Sequence, residues 1–157
     1  MRVRQATPDE AEKLWTIRNR AIRQGCGQVY DATTLTAWTP EQMPEGYRRA
    51  VAENPFFVID DPDGQYPVAT GFLDLAAGSV EAIFTMPEFQ GKGMATLILN
   101  AIKQEARARG LTTLTLCATP NAFDFYHKNG FATVKESLYP SSLAGTSLRC
   151  IEMRWQA

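Results

Sequence analysis

The sequence has a single histidine, His127, and only three cysteines, Cys26, Cys117 and Cys150, which lie far apart and form no CxxC pair. No metal-ligand spacing can be built from that set, so no metal site is expected. An odd number of scattered cysteines reads as small, reduced core residues of a cytoplasmic protein. Positive charge is not in excess either: the formal net charge is −1, and the densest basic run, Lys103, Arg107 and Arg109, is interrupted by Glu105. That pattern suits the solvated face of a helix, and no nucleic-acid partner is expected. Met1 to Ala6 lack the basic-then-apolar pattern of a leader peptide. No apolar run approaches the roughly 18 residues of a membrane span, so no membrane partner is expected.

What is present suits one domain over residues 1–157. The chain is long enough to bury its own core, and its 45% hydrophobic and 21% charged residues are those of an ordinary globular protein. A short alternating run, Met1 to Ala6, predicts a strand. Thr7, Pro8 and Glu10 then form a capping-box pattern. Behind it Ala11, Leu14, Trp15, Arg18, Ala21 and Ile22 recur at helical spacing until Gly25 and Gly27. Pro40 and Pro44 divide the next stretch into two short helices, 31–38 and 44–53.

Phe56 to Ile59 reads as a buried strand, followed by a turn at Asp60–Gly64. Pro67–Leu75 and Val80–Thr85 read as an antiparallel hairpin turning at Ala77-Gly78. A helix over Gly93–Arg109, a strand over Leu111–Cys117, a helix over Asn121–Lys128 and strands over Phe131–Lys135 and Leu148–Trp155 complete the order. Residues 137–145 form a polar loop or a wide hairpin between the last two strands.

The most informative segment is Phe84-Thr85-Met86-Pro87-Glu88-Phe89-Gln90-Gly91-Lys92-Gly93-Met94-Ala95, which leaves a strand and enters a long apolar helix. Gly91 and Gly93 allow a tight turn that points several N–H groups at one spot. A helix N-terminus adds positive potential there, which suits a phosphate or pyrophosphate. Lys92 adds a charge, and Ala95 keeps the helix face small. The alternative is a loop that merely turns the chain. Other phosphate loops do not fit, since GxxxxGK[ST] and GxGxxG are both absent.

Gln90-Gly91-Lys92-Gly93-Met94-Ala95 resembles the Q/R-x-x-G-x-G/A signature of the Gcn5-related N-acetyltransferases (GNAT). Asn121-Ala122-Phe123-Asp124-Phe125-Tyr126, followed by Gly130-Phe131, resembles that family's later block. The two motifs stand in the right order, and the element order matches along nearly the whole chain. The resemblance implies an α+β fold with a mixed, mostly antiparallel sheet of about seven strands. That sheet is splayed between its fourth and fifth strands and flanked by helices. It further implies that acetyl-coenzyme A lies in the splay. The backbone of Ile83, Phe84 and Thr85 would pair with the pantetheine arm. Gln90, Gly91, Lys92, Gly93, Met94, Ala95 and Thr96 would surround the pyrophosphate, and Asn121 and Tyr126 would face the thioester. Many relatives carry an asparagine seven residues before the tyrosine. Here that position is Thr119, and Asn121 stands five before.

Acylating an amine requires removal of a proton, stabilisation of an oxyanion and a proton for the departing thiolate. Glu81 is the candidate base: a carboxylate within a strand is costly unless it faces a cleft or finds a partner. The other reading is a solvated carboxylate or a structural ion pair. Tyr126 is the candidate acid, against a reading as a core ring with a surface hydroxyl. Amides near Phe84 are the expected oxyanion donors. Cys117 has no neighbouring histidine to activate it, and His127 points about 100° away from Tyr126. Trp15 is expected to pack in the core, whereas Tyr30 and Trp38 are open to an acceptor role.

The function expected is therefore an N-acetyltransferase that moves an acetyl group from acetyl-coenzyme A to a small-molecule or peptide amine by direct attack. The alternative is a catalytically silent acyl-coenzyme A sensor or interaction module. No motif determines the oligomeric state, and a homodimer is compatible with the sequence.

Overall fold

The computed structural model describes all residues from Met1 to Ala157. The chain runs β1 (Val3–Gln5), α1 (Ala11–Gly25), α2 (Ala32–Trp38), α3 (Glu45–Glu53), β2 (Phe56–Asp60), β3 (Pro67–Asp74), β4 (Ser79–Thr85), α4 (Met94–Ala108), β5 (Thr113–Ala118), α5 (Phe123–Lys128), β6 (Ala132–Ser141) and β7 (Thr146–Gln156). The strands form one sheet in the order β1-β2-β3-β4-β5-β7-β6, with every pair antiparallel except β4 with β5. This is the α+β architecture expected from the sequence. No helix is long and apolar enough to cross a membrane.

The Phe56–Ile59 run is apolar on both sides because helices cover both faces of the sheet. Phe57 and Ile59 pack with Ile98, Leu99 and Ile102 of α4, whereas Phe56 and Val58 pack with Ala11, Leu14 and Ile17 of α1. Successive strand side chains point to opposite faces, so a continuous apolar run marks a strand between two layers. Glu10, in the short 3-10 turn before α1, accepts the Thr7 amide at 2.9 Å, as the capping pattern predicts. Glu10 also pairs with Arg4, which in turn holds Asp60 on β2.

The stretch 137–145 is the wide hairpin rather than the polar loop. β6 and β7 stay paired as far as Ser141 opposite Thr146, leaving only residues 142–145 to turn. β6 is an edge strand, so one side of its backbone needs no ladder partner. Pro140 and a run of polar side chains are tolerated there.

Candidate active site

The sheet comes apart where its single parallel pair begins. β4 and β5 share one register point, Ser79 opposite Thr115, and diverge beyond it. The β4 backbone from Val80 to Thr85 is therefore left without a strand on its β5 side. A bulge sharpens the divergence. Thr70 pairs with Phe84 and Phe72 with Glu81, so Ala82 and Ile83 together oppose Gly71. Ala82 adopts a φ of 53°, an unusual conformation for a residue with a Cβ. Gly71 is required beneath it: a Cβ there would lie 2.7 Å from Ile98 Cγ2 and 2.8 Å from Ile83 Cγ1.

The cleft opened in this way has a volume of about 430 Å³. Its far wall is the loop into α4. Gly91 and Gly93 have φ values of 77° and 82°, and a Cβ at either would meet nothing within 4 Å. Within the protein the glycines are thus needed for left-handed backbone rather than for space. No side chain caps α4, so its first-turn N–H groups are free for a ligand.

Of the residues expected to contact cofactor, all but Lys92 line this one cleft. Lys92 is exposed, with Nζ 5.4 Å from the centre of the Phe89 ring. Asn121 Oδ1 accepts from the Cys26 thiol at 3.5 Å, tying the end of α1 to the loop before α5. Tyr126 lines the cleft and is otherwise buried. Burial first, and the Glu81 carboxylate second, push its phenol well above the usual range. His127 stacks on Phe123 and does not line the cleft.

Glu81 lines a second cavity of about 220 Å³, walled also by Cys117 of β5 and Cys150 of β7. Its Oε2 accepts from Ser79 Oγ at 2.7 Å. Desolvation raises its pKa, the Ser79 hydrogen bond opposes that rise, and Asp74 adds to it. Tyr30 and Trp38 line the same cavity and stack edge to face, 5.7 Å between ring centres. Trp15 is buried, and its Nε1 donates to the Pro40 carbonyl at 2.8 Å, consistent with its expected core role. The two cavities share Phe84 and Thr119 and meet there.

Sequence reasoning missed several wall residues. In the cleft these include Ala21, Gly25 and Cys26 of the α1 end. In the second cavity they include Arg18, Tyr139 and Leu148. Arg18 did leave a signal, because it occupies a position of the apolar helical repeat where a charge is out of place.

The sequence model of the Acetyltransferase (GNAT) domain family matches residues 20–154. The chain belongs to the GNAT family. A 45-residue stretch is 38% identical to an uncharacterized N-acetyltransferase of Pyropia yezoensis, covering 29% of this chain and 26% of that protein, about a quarter of the relative's length. Among solved structures, a GCN5-related N-acetyltransferase from Rhodopseudomonas palustris superposes with a TM-score of 0.88 at 22% identity, covering 99% of this chain and 95% of the other. The PaiA N-acetyltransferase of Thermoplasma acidophilum, in complex with coenzyme A, gives 0.78 at 15% identity over 99% and 98% of the two chains. A putative acetyltransferase from Salmonella typhimurium with its cofactor acetyl-CoA gives 0.72 at 17% over 99% and 93%. At these identities the GNAT fold is what the structures share.

Proposed function

We propose that this GNAT chain acts as one acyltransferase domain, moving an acetyl group from acetyl-coenzyme A to a small amine by direct attack with both substrates bound. The observation that carries the reading is the meeting of two cavities at Phe84 and Thr119, one walled by free backbone amides and the other by a desolvated carboxylate.

The cleft fits the donor. The amides of Gly91 to Thr96 suit a pyrophosphate, with Lys92 adding long-range positive charge and Gln90, Met94 and Ala95 shaping the wall. The free β4 edge at Ile83, Phe84 and Thr85 suits the amides of a pantetheine arm, and Asn121 borders the thioester end. Acetyl-coenzyme A, when bound, supplies an activated carbonyl carbon. Glu81, directly or through water, takes the proton that the acceptor nitrogen loses as the C–N bond forms. Tyr126, kept protonated by its surroundings, returns a proton to the sulfur as the C–S bond breaks. The three free thiols, two of them buried, accord with a cytoplasmic enzyme.

The test is thiol release from acetyl-coenzyme A across a panel of small amines. Release with at least one amine is expected. Cofactor binding without release across the panel would make the protein a silent acyl-coenzyme A module, and absence of binding would reject the assignment of the cleft.

A further inference from the structure

The second cavity contains a charge that the fold does not neutralise. Arg18 is only 9% exposed, yet it belongs to no ion pair. A buried cation is costly unless something compensates it. Its guanidinium lies 4.2 Å from the Trp15 ring centre and 5.4 Å from that of Trp38. These cation–π contacts hold the group in place and leave its edges free. Nη1 uses both of its N–H groups, donating to Asn19 Oδ1 at 2.8 Å and to the Trp38 carbonyl at 2.9 Å. Nε and Nη2 take no partner in the chain, and neither is among the atoms sealed away without one. The unpaired fork thus keeps open surface, and Arg18 lines the second cavity.

Glu81 lines that cavity as well, but no ion pair joins it to Arg18. The space thus presents a carboxylate and an unsatisfied guanidinium edge that are not paired with each other. The aromatic side chains of Tyr30, Trp38 and Tyr139 line the same space. We propose that the acceptor is a small amine carrying its own carboxylate beside an apolar body, an amino acid in the broad sense. Arg18 holds the carboxylate through Nε and Nη2, and the amine lies toward Glu81. The inference rests on the reading of this cavity as the acceptor site. Two parallel N–H···O bonds from a guanidinium to a carboxylate explain why an arginine, rather than an apolar residue, occupies a core position of α1.

The experiment compares free acids with their primary amides, so that only the carboxylate changes. Phenylalanine, 3-amino-4-phenylbutyrate and 4-(aminomethyl)benzoate provide three spacings between amine and carboxylate. At least one acid should exceed its own amide in kcat/KM by about 10- to 100-fold, the range of a charge-assisted pair. That ratio should fall to about one in Arg18→Met and lie between in Arg18→Lys, which keeps the charge but loses the fork. The wild-type comparison needs no variant to fold. A second arm removes the difference in amine basicity: the N-acetylated acids and amides are titrated into the coenzyme A-loaded protein by calorimetry. At least one acid should again bind 10- to 100-fold more tightly than its amide. Equal rates for acid and amide at all three spacings, with equal binding in the second arm, would overturn the inference while leaving the acetyltransferase reading intact. Acid-selective binding with no amine acetylated would overturn the acetyltransferase reading and with it the acceptor role, leaving only a carboxylate site at Arg18.

Discussion

The two cavities that meet at Phe84 and Thr119 are built by opposite means. The cleft beside the loop into α4 is largely a backbone site. The groups proposed to recognise the donor are amides of the Gly91–Thr96 turn and the free edge of β4, supplied by one stretch of 14 consecutive residues, 83–96. The second cavity is a side-chain site, with walls from α1, α2, β4, β5, β6 and β7. A backbone site can serve one fixed ligand on any chain that makes the turn. A side-chain site takes its chemistry from whatever residues the tertiary fold brings together, which is why acceptor specificity is proposed to lie there.

The largest effect should come from breaking the backbone site alone. Gly93→Asp places a carboxylate where the pyrophosphate is proposed to sit and should abolish acetyl-coenzyme A binding by calorimetry. Gly93→Ala separates the two causes. Its Cβ meets nothing within 4 Å, so it should cost only about 1–2 kcal/mol of stability for the left-handed φ. If Gly93→Asp folds and binds normally, the anion site lies elsewhere.

Tyr126 stands where the cleft approaches Glu81. Tyr126→Phe should lower turnover about 10²-fold or more, with cofactor affinity close to wild type. Unchanged turnover under conditions where chemistry limits the rate would make the ring a packing residue.

Glu81→Gln tests the other side of the comparison. It should lower the rate about 10²-fold at neutral pH and recover partly as the pH nears the acceptor's own pKa, where free amine is abundant. A pH–rate profile that overlays the wild type would assign proton removal to another group.

Gly71 lies beneath the bulge that both cavities share. Gly71→Ala should destabilise the fold by about 1–3 kcal/mol in denaturant unfolding, since Ile98 and Ile83 must shift. It should also weaken both donor and acceptor binding. Loss of only one would show that the cavities are less coupled than their common strand implies.

The smallest effect concerns stability. The folded protein holds the Glu81 carboxyl above its ordinary pKa, chiefly by desolvation. A carboxylate shifted upward opposes folding once the pH exceeds its unfolded value, and the effect vanishes when the group is protonated in both states. Thermal unfolding should therefore show Glu81→Gln gaining stability over wild type at neutral pH, with the gain fading as the pH falls through the carboxylate range. A gain independent of pH would trace the effect to packing rather than to charge.

Much of the backbone site was legible in the chain itself. Gly91 and Gly93 before an apolar helix specify a left-handed turn and an uncapped N-terminus from neighbouring residues alone. The buried strand at Phe56–Ile59 and the helix beginning after Pro8 are equally local, because period and capping act over a few residues. Glu81 could be picked out as a carboxylate within an apolar strand, but not its cavity or its Ser79 partner.

What only the tertiary structure decided is everything that depends on register between distant segments. Tyr139 and Leu148 reach the second cavity because β6 and β7 form a long paired hairpin that brings them opposite each other. Lys92, inside the glycine motif, does not line the cleft, whereas Thr119, outside the expected contact set, lines both cavities. Arg18 stood in the sequence only as a charge within an apolar helical repeat. Its significance comes from Trp15, Trp38 and Asn19 gripping it while no acid pairs with it, an arrangement spanning α1 and α2. Local conformation follows from short-range sterics and hydrogen bonding. Whether a buried charge finds a partner is settled only when the layers pack.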